Sequence, residues 1–256
     1  MMIVDGKVNY AKHEDGYSVI TLDRANKRNA INQKMVTDFK ACLKEAREDE
    51  GTFLVITGKG DTMFCAGGDL VEFHGELPPD DAFTLLYGMK EVLFDLASFP
   101  VPTICLLNGD ALGGGCEIAT ACDFRIAKEG STFGFIQAKL GIIPGWGGGT
   151  LLYEKVSTSF AYHWLLHADI HDASYLRDHG WIHNIIPRGE WGNMDKIVEP
   201  YVNRSLEQMR ILKSQYHTSS SILSLSAKMN EEVRDCANLW DSPEHQEAVR
   251  QFLARK

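Results

Sequence analysis

Two short stretches rich in β-branched and aromatic residues, 8–11 and 17–22, flank His13-Glu14-Asp15-Gly16. The Asp-Gly pair suits a tight turn, so this region reads as a hairpin at a sheet edge. The period then changes. Met35, Phe39, Leu43 and Ala46 recur at helical spacing, with Lys34, Lys40, Lys44 and Glu45 left for the wet side, and the apolar run 53–57 reads as a buried strand. The unit repeats as a helix over 81–98, a strand over 103–107, a helix over 114–122 and a strand over 124–127. Strands apolar on both faces, alternating with helices, predict an α/β layer with parallel pairing. Beyond residue 150 the pattern predicts helices over 160–167 and 173–179, an extended run over 181–186 and a mostly helical remainder. A soft boundary near 196 separates a core, 1–195, from a helical region, 196–256.

Composition narrows the partners. The 256 residues carry a net charge of −9 with 44% hydrophobic content, enough for a sizeable core but unsuited to a general nucleic-acid surface. Any phosphate site must be local. Cys42, Cys65, Cys105, Cys116, Cys122 and Cys236 show neither paired spacing nor a CxxC, so reduced core thiols are expected. No leader-like N-terminus and no apolar run of spanning length is present, which predicts a cytoplasmic protein without a membrane association.

Two glycine turns carry the chemical signal, Cys65-Ala66-Gly67-Gly68-Asp69-Leu70 and Leu112-Gly113-Gly114-Gly115-Cys116-Glu117. Each follows an apolar strand, and the second opens a helix with a carboxylate in its first turn. If the two strands are neighbours, free backbone N–H groups from both turns converge on one oxygen, as enolate or oxyanion chemistry requires. Read singly, either turn could serve only chain reversal.

Together the turns resemble the crotonase superfamily, the enoyl-coenzyme A hydratase/isomerase family. The likeness extends through Asp23-Arg24-Ala25-Asn26-Lys27-Arg28-Asn29-Ala30-Ile31-Asn32, through Gly141-Ile142-Ile143-Pro144-Gly145-Trp146-Gly147-Gly148 and into the terminal stretch containing Phe252. It implies a crotonase-like fold of repeated β-β-α units with a C-terminal helical trimerisation region, an acyl-CoA substrate and a homotrimer or dimer of trimers. It assigns the oxyanion N–H groups to Gly68 and Gly114, and the first catalytic glutamate position to Glu117. Lys27 and Arg28, in a basic run with Arg24, match the stretch near the coenzyme phosphates. Ala30, Ala66, Asp69, Leu70, Gly113, Pro144, Gly145 and Trp146 fall at the substrate, and Phe252, followed by Arg255 and Lys256, falls where an aromatic approaches a neighbouring subunit's adenine. Trp146 and Phe252 have packing alternatives.

The chain departs from the family pattern at one decisive point. Where hydratases carry a second glutamate, Phe133-Gly134-Phe135-Ile136 is followed by Gln137. An amide holds water or a carboxylate but has no proton to give near neutral pH, so two-acid hydration is put in doubt. Single-acid isomerases of the family often keep the second position, not the first. Decarboxylation of a malonyl-type thioester needs an enolate and one acid, and 120–125 and 141–148 also resemble the family's ethylmalonyl-CoA decarboxylases. Three alternatives stand: an altered hydratase or isomerase, a malonyl-type decarboxylase, and a non-catalytic acyl-CoA-binding protein.

The remaining polar residues predict structure first. Asp110 suits local loop bonding, Asp69 a helix cap, and Asp123 with Arg125 an ion pair at a strand end. Glu72 and His74 could reach a substrate, although ordinary surface positions are expected. His163, His167, His171, His179 and His183 form no HExxH or Cys/His pattern, so no metal is expected. Neither GxxxxGK[ST] nor a strand-following GxGxxG occurs, which argues against ATP and NAD. No cofactor is expected beyond the coenzyme A of the substrate.

Overall fold

The computed structural model describes residues 7–73, 77–219 and 222–254. Its first half runs β1 (Lys7–Lys12), β2 (Ser18–Asp23), α1 (Gln33–Glu48), β3 (Leu54–Gly58), β4 (Met63–Cys65), α2 (Leu70–Phe73), α3 (Pro79–Ala97), β5 (Thr103–Leu107), β6 (Asp110–Leu112) and α4 (Gly114–Ala121). It continues with β7 (Phe124–Lys128), β8 (Thr132–Gly134), α5 (Gly148–Lys155), α6 (Thr158–His167), β9 (His171–Asp172), α7 (Ala173–Asp178), β10 (Asn184–Ile186), α8 (Met194–Val202), α9 (Leu206–Ser219), α10 (Ile222–Asn238) and α11 (Pro243–Ala254).

The expected hairpin forms the edge of a six-stranded sheet ordered β1-β2-β3-β5-β7-β10, antiparallel only between β1 and β2. All five residues of β3 and of β5 are buried, as their unbroken apolar runs require. Asn32 caps α1 by accepting from the Met35 N–H at 2.9 Å, which points the Met35, Phe39, Leu43 and Ala46 stripe into the core. Burying Met35 or Phe39 stabilises the fold by roughly 1.5–3 kcal/mol each.

The strand leading to the triple glycine is not the one expected. The chain leaves the main sheet after Leu107, and β6 then enters a second sheet ordered β4-β6-β8-β9. At the transfer Asn108 accepts from the Gly58 N–H at 3.0 Å and donates to the Gly60 carbonyl at 3.0 Å. A Cβ on Gly109 would stand 2.1 Å from the Thr62 carbonyl carbon, so this corner admits no side chain. Three-residue strands such as β4, β6 and β8 are too short to show a period, so sequence pattern merges them with their neighbours.

Helix α4 is buried along its whole length against β4 and β6 of the second sheet and against α3 and α5. The C-terminal helices return onto this core: α10 packs on α3 and α5, and α11 packs on the turn Gln137–Leu140. His245 fixes the latter contact by a 2.6 Å hydrogen bond to the Leu140 carbonyl. The six cysteines are free and buried. Among the described residues no helix is long and apolar enough to cross a membrane.

Candidate active site

Strands β4 and β6 are parallel neighbours, with Met63 opposite Asp110 and Cys65 opposite Ala111, so both glycine turns leave the same edge of the second sheet. The first turn is stapled to the 28–31 loop: Ala66 N–H donates to Arg28 at 3.1 Å, Ile31 N–H to Gly67 at 2.8 Å and Asp69 N–H to Ile31 at 2.8 Å. Gly67 and Gly113 have φ of 96° and 52°, backbone that glycine adopts at little cost. A Cβ on Gly67 would lie 3.1 Å from the Gly114 nitrogen, and one on Gly115 would lie 2.1 Å from the Cys65 carbonyl oxygen. The two turns are therefore in contact. Among the described residues neither the Gly68 N–H nor the Gly114 N–H has an acceptor.

Glu117, in the first turn of α4 and only 2% exposed, stands beside these donors. Its Oε2 accepts from the Trp146 and Gly148 N–H groups at 2.9 Å each, and its Oε1 accepts from Gln137 Nε2 at 2.9 Å. Burial pushes this carboxyl above its ordinary range, and the amide donors only partly offset that. The Gln137 Oε1 is buried without a partner. That Gln137 amide lies 3.8 Å from where a Cβ on Gly113 would stand, which places it over the glycine junction. The Trp146 ring covers the other side, because a Cβ on Gly114 would come within 2.2 Å of it. Two neighbouring N–H donors without acceptors, one displaced-pKa carboxyl and one amide can hold an oxyanion and transfer one proton.

The loop 141–149 that supplies the Glu117 donors is wedged against α10. Side chains on Gly145, Gly147 and Gly148 would meet the Cys236 sulfur at 2.8 Å, Met229 Cε at 2.4 Å and Glu117 Cγ at 2.3 Å. Glu232 comes from the same face of α10 and accepts from the Gly149 N–H at 3.1 Å and from the Thr150 hydroxyl at 2.7 Å. Sequence reasoning missed this acid. The available signal was an acid among the core-facing Met229, Val233 and Cys236 of an amphipathic helix, where solvation alone does not account for it.

A sequence model of the family described as Enoyl-CoA hydratase/isomerase matches residues 12–256. The chain belongs to this family. It is 29% identical to the ethylmalonyl-CoA decarboxylase of Gallus gallus over 95% of this chain and 83% of that protein. It is 29% identical to the mitochondrial methylglutaconyl-CoA hydratase of Mus musculus over 73% of this chain and 60% of that protein. The fold is that of an enoyl-CoA hydratase from Bacillus halodurans, with a TM-score of 0.86 at 19% identity over 95% of this chain and 99% of that one.

Within this enoyl-CoA hydratase/isomerase fold, other sequence expectations need correction. Arg24 is buried and pairs with Asp69 at 2.6 Å, so it is unsuited to a phosphate, and Asp69 braces the first turn from the side. Lys27 and Arg28 are exposed on the loop that the turn is stapled to. Ala30 and Ala66 are half-buried in that same contact, with the Ala30 carbonyl accepting from Arg24 at 3.1 Å, and Leu70 starts α2 immediately after it. Pro144 packs on Gly149, beside Glu232. Asp110 starts β6 and accepts from the Thr132 N–H at 2.7 Å, a structural bond.

Asp123 and Arg125 do not form the expected ion pair. Asp123 is gripped by Lys213 and, at 3.8 Å, by Lys155, whereas the Arg125 guanidinium donates to the Trp181, Cys122 and Ala119 carbonyls. Phe252 stands 41% exposed on α11 and is not brought to Glu117. His74, Arg255 and Lys256 lie outside the described residues. His163 stacks on His167, His171 on Tyr175 and His179 on Phe160. Among the described residues the metal-compatible grouping is His13 and Asp15 of the β1–β2 turn with Asp195 of α8.

Proposed function

We propose that this chain decarboxylates a malonyl-type coenzyme A thioester, with an alkylmalonyl-CoA such as ethylmalonyl-CoA as the substrate class. The single observation that carries the reading is the Glu117–Gln137 pair: one carboxyl with a raised pKa beside two unpaired N–H donors, and an amide where a second acid would stand. The likeness to ethylmalonyl-CoA decarboxylases over 95% of the chain supports it. The thioester carbonyl oxygen accepts from Gly68 and Gly114 N–H. The bond between C2 and the carboxylate breaks, its electron pair becomes the enolate, and carbon dioxide leaves. Glu117 then delivers its proton to C2. Losing one such oxyanion donor costs about 2.7–4 kcal/mol of transition-state stabilisation. Lys27 and Arg28 face the coenzyme phosphates in this reading, no further cofactor is used, and the assembly is a homotrimer or dimer of trimers.

The test is to incubate the protein with ethylmalonyl-CoA, methylmalonyl-CoA and crotonyl-CoA and follow carbon dioxide and thioester masses. Carbon dioxide release with one solvent deuterium incorporated at C2 in D2O is expected. Hydration of crotonyl-CoA with no carbon dioxide from either malonyl thioester would overturn the proposal.

Hydration is the second reading, favoured by the likeness to methylglutaconyl-CoA hydratase. It requires Glu117 alone to activate water and supply the proton, so Gln137→Glu should raise hydratase activity at least tenfold. An unchanged rate in folded protein would count against a missing second acid as the barrier.

A further inference from the structure

Decarboxylation draws one proton per turnover from Glu117, and Gln137 holds none to replace it. The other carboxyl at this place is Glu232. Gly148 N–H donates to Glu117, and the next amide, Gly149 N–H, donates to Glu232. Thr150 adds its N–H and hydroxyl to Glu232. The first turn of α5 thus divides its donors between two acids on different helices. The glycines make this possible, since a Cβ on Gly148 would strike Glu117 and one on Gly149 would stand 3.1 Å from Glu232 Oε2. Among the described residues neither acid takes part in an ion pair. Cations of α3 and α10 are engaged elsewhere, Lys90 with Ser226 at 2.9 Å, Lys228 with Glu154 at 3.5 Å and Arg234 over the Phe83 ring at 4.4 Å.

We propose that Glu117 and Glu232 share one proton across the N-terminus of α5, and that Glu232 is the positioning residue that keeps Glu117 able to act as an acid at neutral pH. The inference rests on the decarboxylase reading. Two uncompensated carboxylates so placed repel, and the pair titrates as a unit that gives up its last proton late. Burial and the Glu117 charge push Glu232 up to about 8. The other titratable groups facing Glu232 are Tyr153 of α5 and Cys236 of α10, both pushed upward by burial and so neutral near pH 7.

The deciding experiment is the pH profile of kcat/KM for ethylmalonyl-CoA. The wild type should run flat to about pH 8 and then fall tenfold per unit. In Glu232→Gln the fall should begin where Glu117 titrates alone, so that activity near pH 7.5 drops at least tenfold while activity near pH 5.5 stays within twofold. Glu232→Asp should restore part of the plateau. A profile lowered equally at every pH would show a structural role and overturn the proposal. Infrared titration of the carboxyl C=O band in substrate-free wild-type protein decides the point without turnover. A protonated carboxyl lost only near pH 8 supports the shared proton, and its loss near pH 5 overturns it. If no malonyl thioester is turned over, the reaction assignment fails, while the infrared result still judges the pair.

Discussion

Helix α4 has a buried carboxylate at each end, and the molecule treats them in opposite ways. Glu117, in the first turn, is held by two backbone amides and Gln137, with no cation among the described residues. Asp123, two residues past the helix end, is held by Lys213 and Lys155 and by the Thr103 N–H at 2.9 Å. Burial raises both carboxyls. At Asp123 the lysine charges overrule it and hold the carboxyl below its ordinary range, whereas at Glu117 the raised value persists. The helix dipole explains part of this contrast, because the N-terminus tolerates a carboxylate that the C-terminus would repel without cations. A cavity of about 620 Å³ opens beside Asp123, Lys155 and Lys213, and neither Glu117 nor the two glycine turns line it. Cavity size is therefore a poor guide here. A carboxylate locked between two lysines stays ionised and braces the fold, while one held by neutral donors can exchange a proton.

The contrast breaks most visibly by removing each acid. Glu117→Gln should lower decarboxylation at least a thousandfold, about 4 kcal/mol, in protein that keeps its circular dichroism spectrum and melts cooperatively. Asp123→Asn should do the reverse. It leaves two lysines buried without a counter-charge and should cost about 3–5 kcal/mol in urea unfolding, with kcat per folded molecule within a few fold. Activity lost from Asp123→Asn at full stability would put the chemistry at the wrong end of the helix.

The two ends also differ in how legible they were. The turns at Gly68 and Gly114 and the carboxylate of Glu117 are legible because glycine turns are local signals, Gln137 stands out only against the family pattern, and the parallel neighbours β4 and β6 bring the two turns together as expected. The partner of Asp123 was misread, because Lys155 and Lys213 lie 32 and 90 residues away and only the tertiary fold brings them in. Arg24 failed for the same reason: its proximity to Lys27 and Arg28 suggested a phosphate contact, but its side chain turns inward to Asp69. Glu232 is marked locally only as an acid on an apolar helix face, because its partners at Gly149 and Thr150 lie more than 80 residues away and only the tertiary fold brings them in. Most of the longer elements in the first half lie within a few positions of their expected ranges, whereas α5 carries no expected helix and the short strands of the second sheet merge with their neighbours.

Gly114 tests the packing around the first carboxylate at a smaller scale. An alanine there drives its methyl into the Trp146 ring, an overpacking that should cost about 1–3 kcal/mol and most of the activity. In a Trp146→Ala background the same change should cost much less, giving a coupling of about 1 kcal/mol or more in a double-mutant cycle. Additive effects would mean that the ring is not what holds Gly114 in place.

The smallest effect, and the sharpest on sign, is the pH dependence of stability. The folded-state value of Asp123 is depressed, so its contribution is complete above the ordinary aspartate range and is lost as pH falls through the folded value. The penalty of Asp123→Asn should then be constant from about pH 5 to 7 and shrink below about pH 4. Glu117 is raised, so the folded protein binds the proton more tightly than the unfolded chain, and stability falls as pH rises through that raised value. Glu117→Gln should therefore make the inactive protein more stable than wild type at pH 7, and the two should converge near pH 4. The contact between the two side chains survives the substitution, because a flipped Gln137 can accept from the new amide where it donates to the carboxylate in the wild type. Urea midpoints at both pH values check this. If Glu117→Gln is no more stable than wild type at pH 7, the carboxylate is not strained by burial and the contrast between the two ends of α4 is one of position alone.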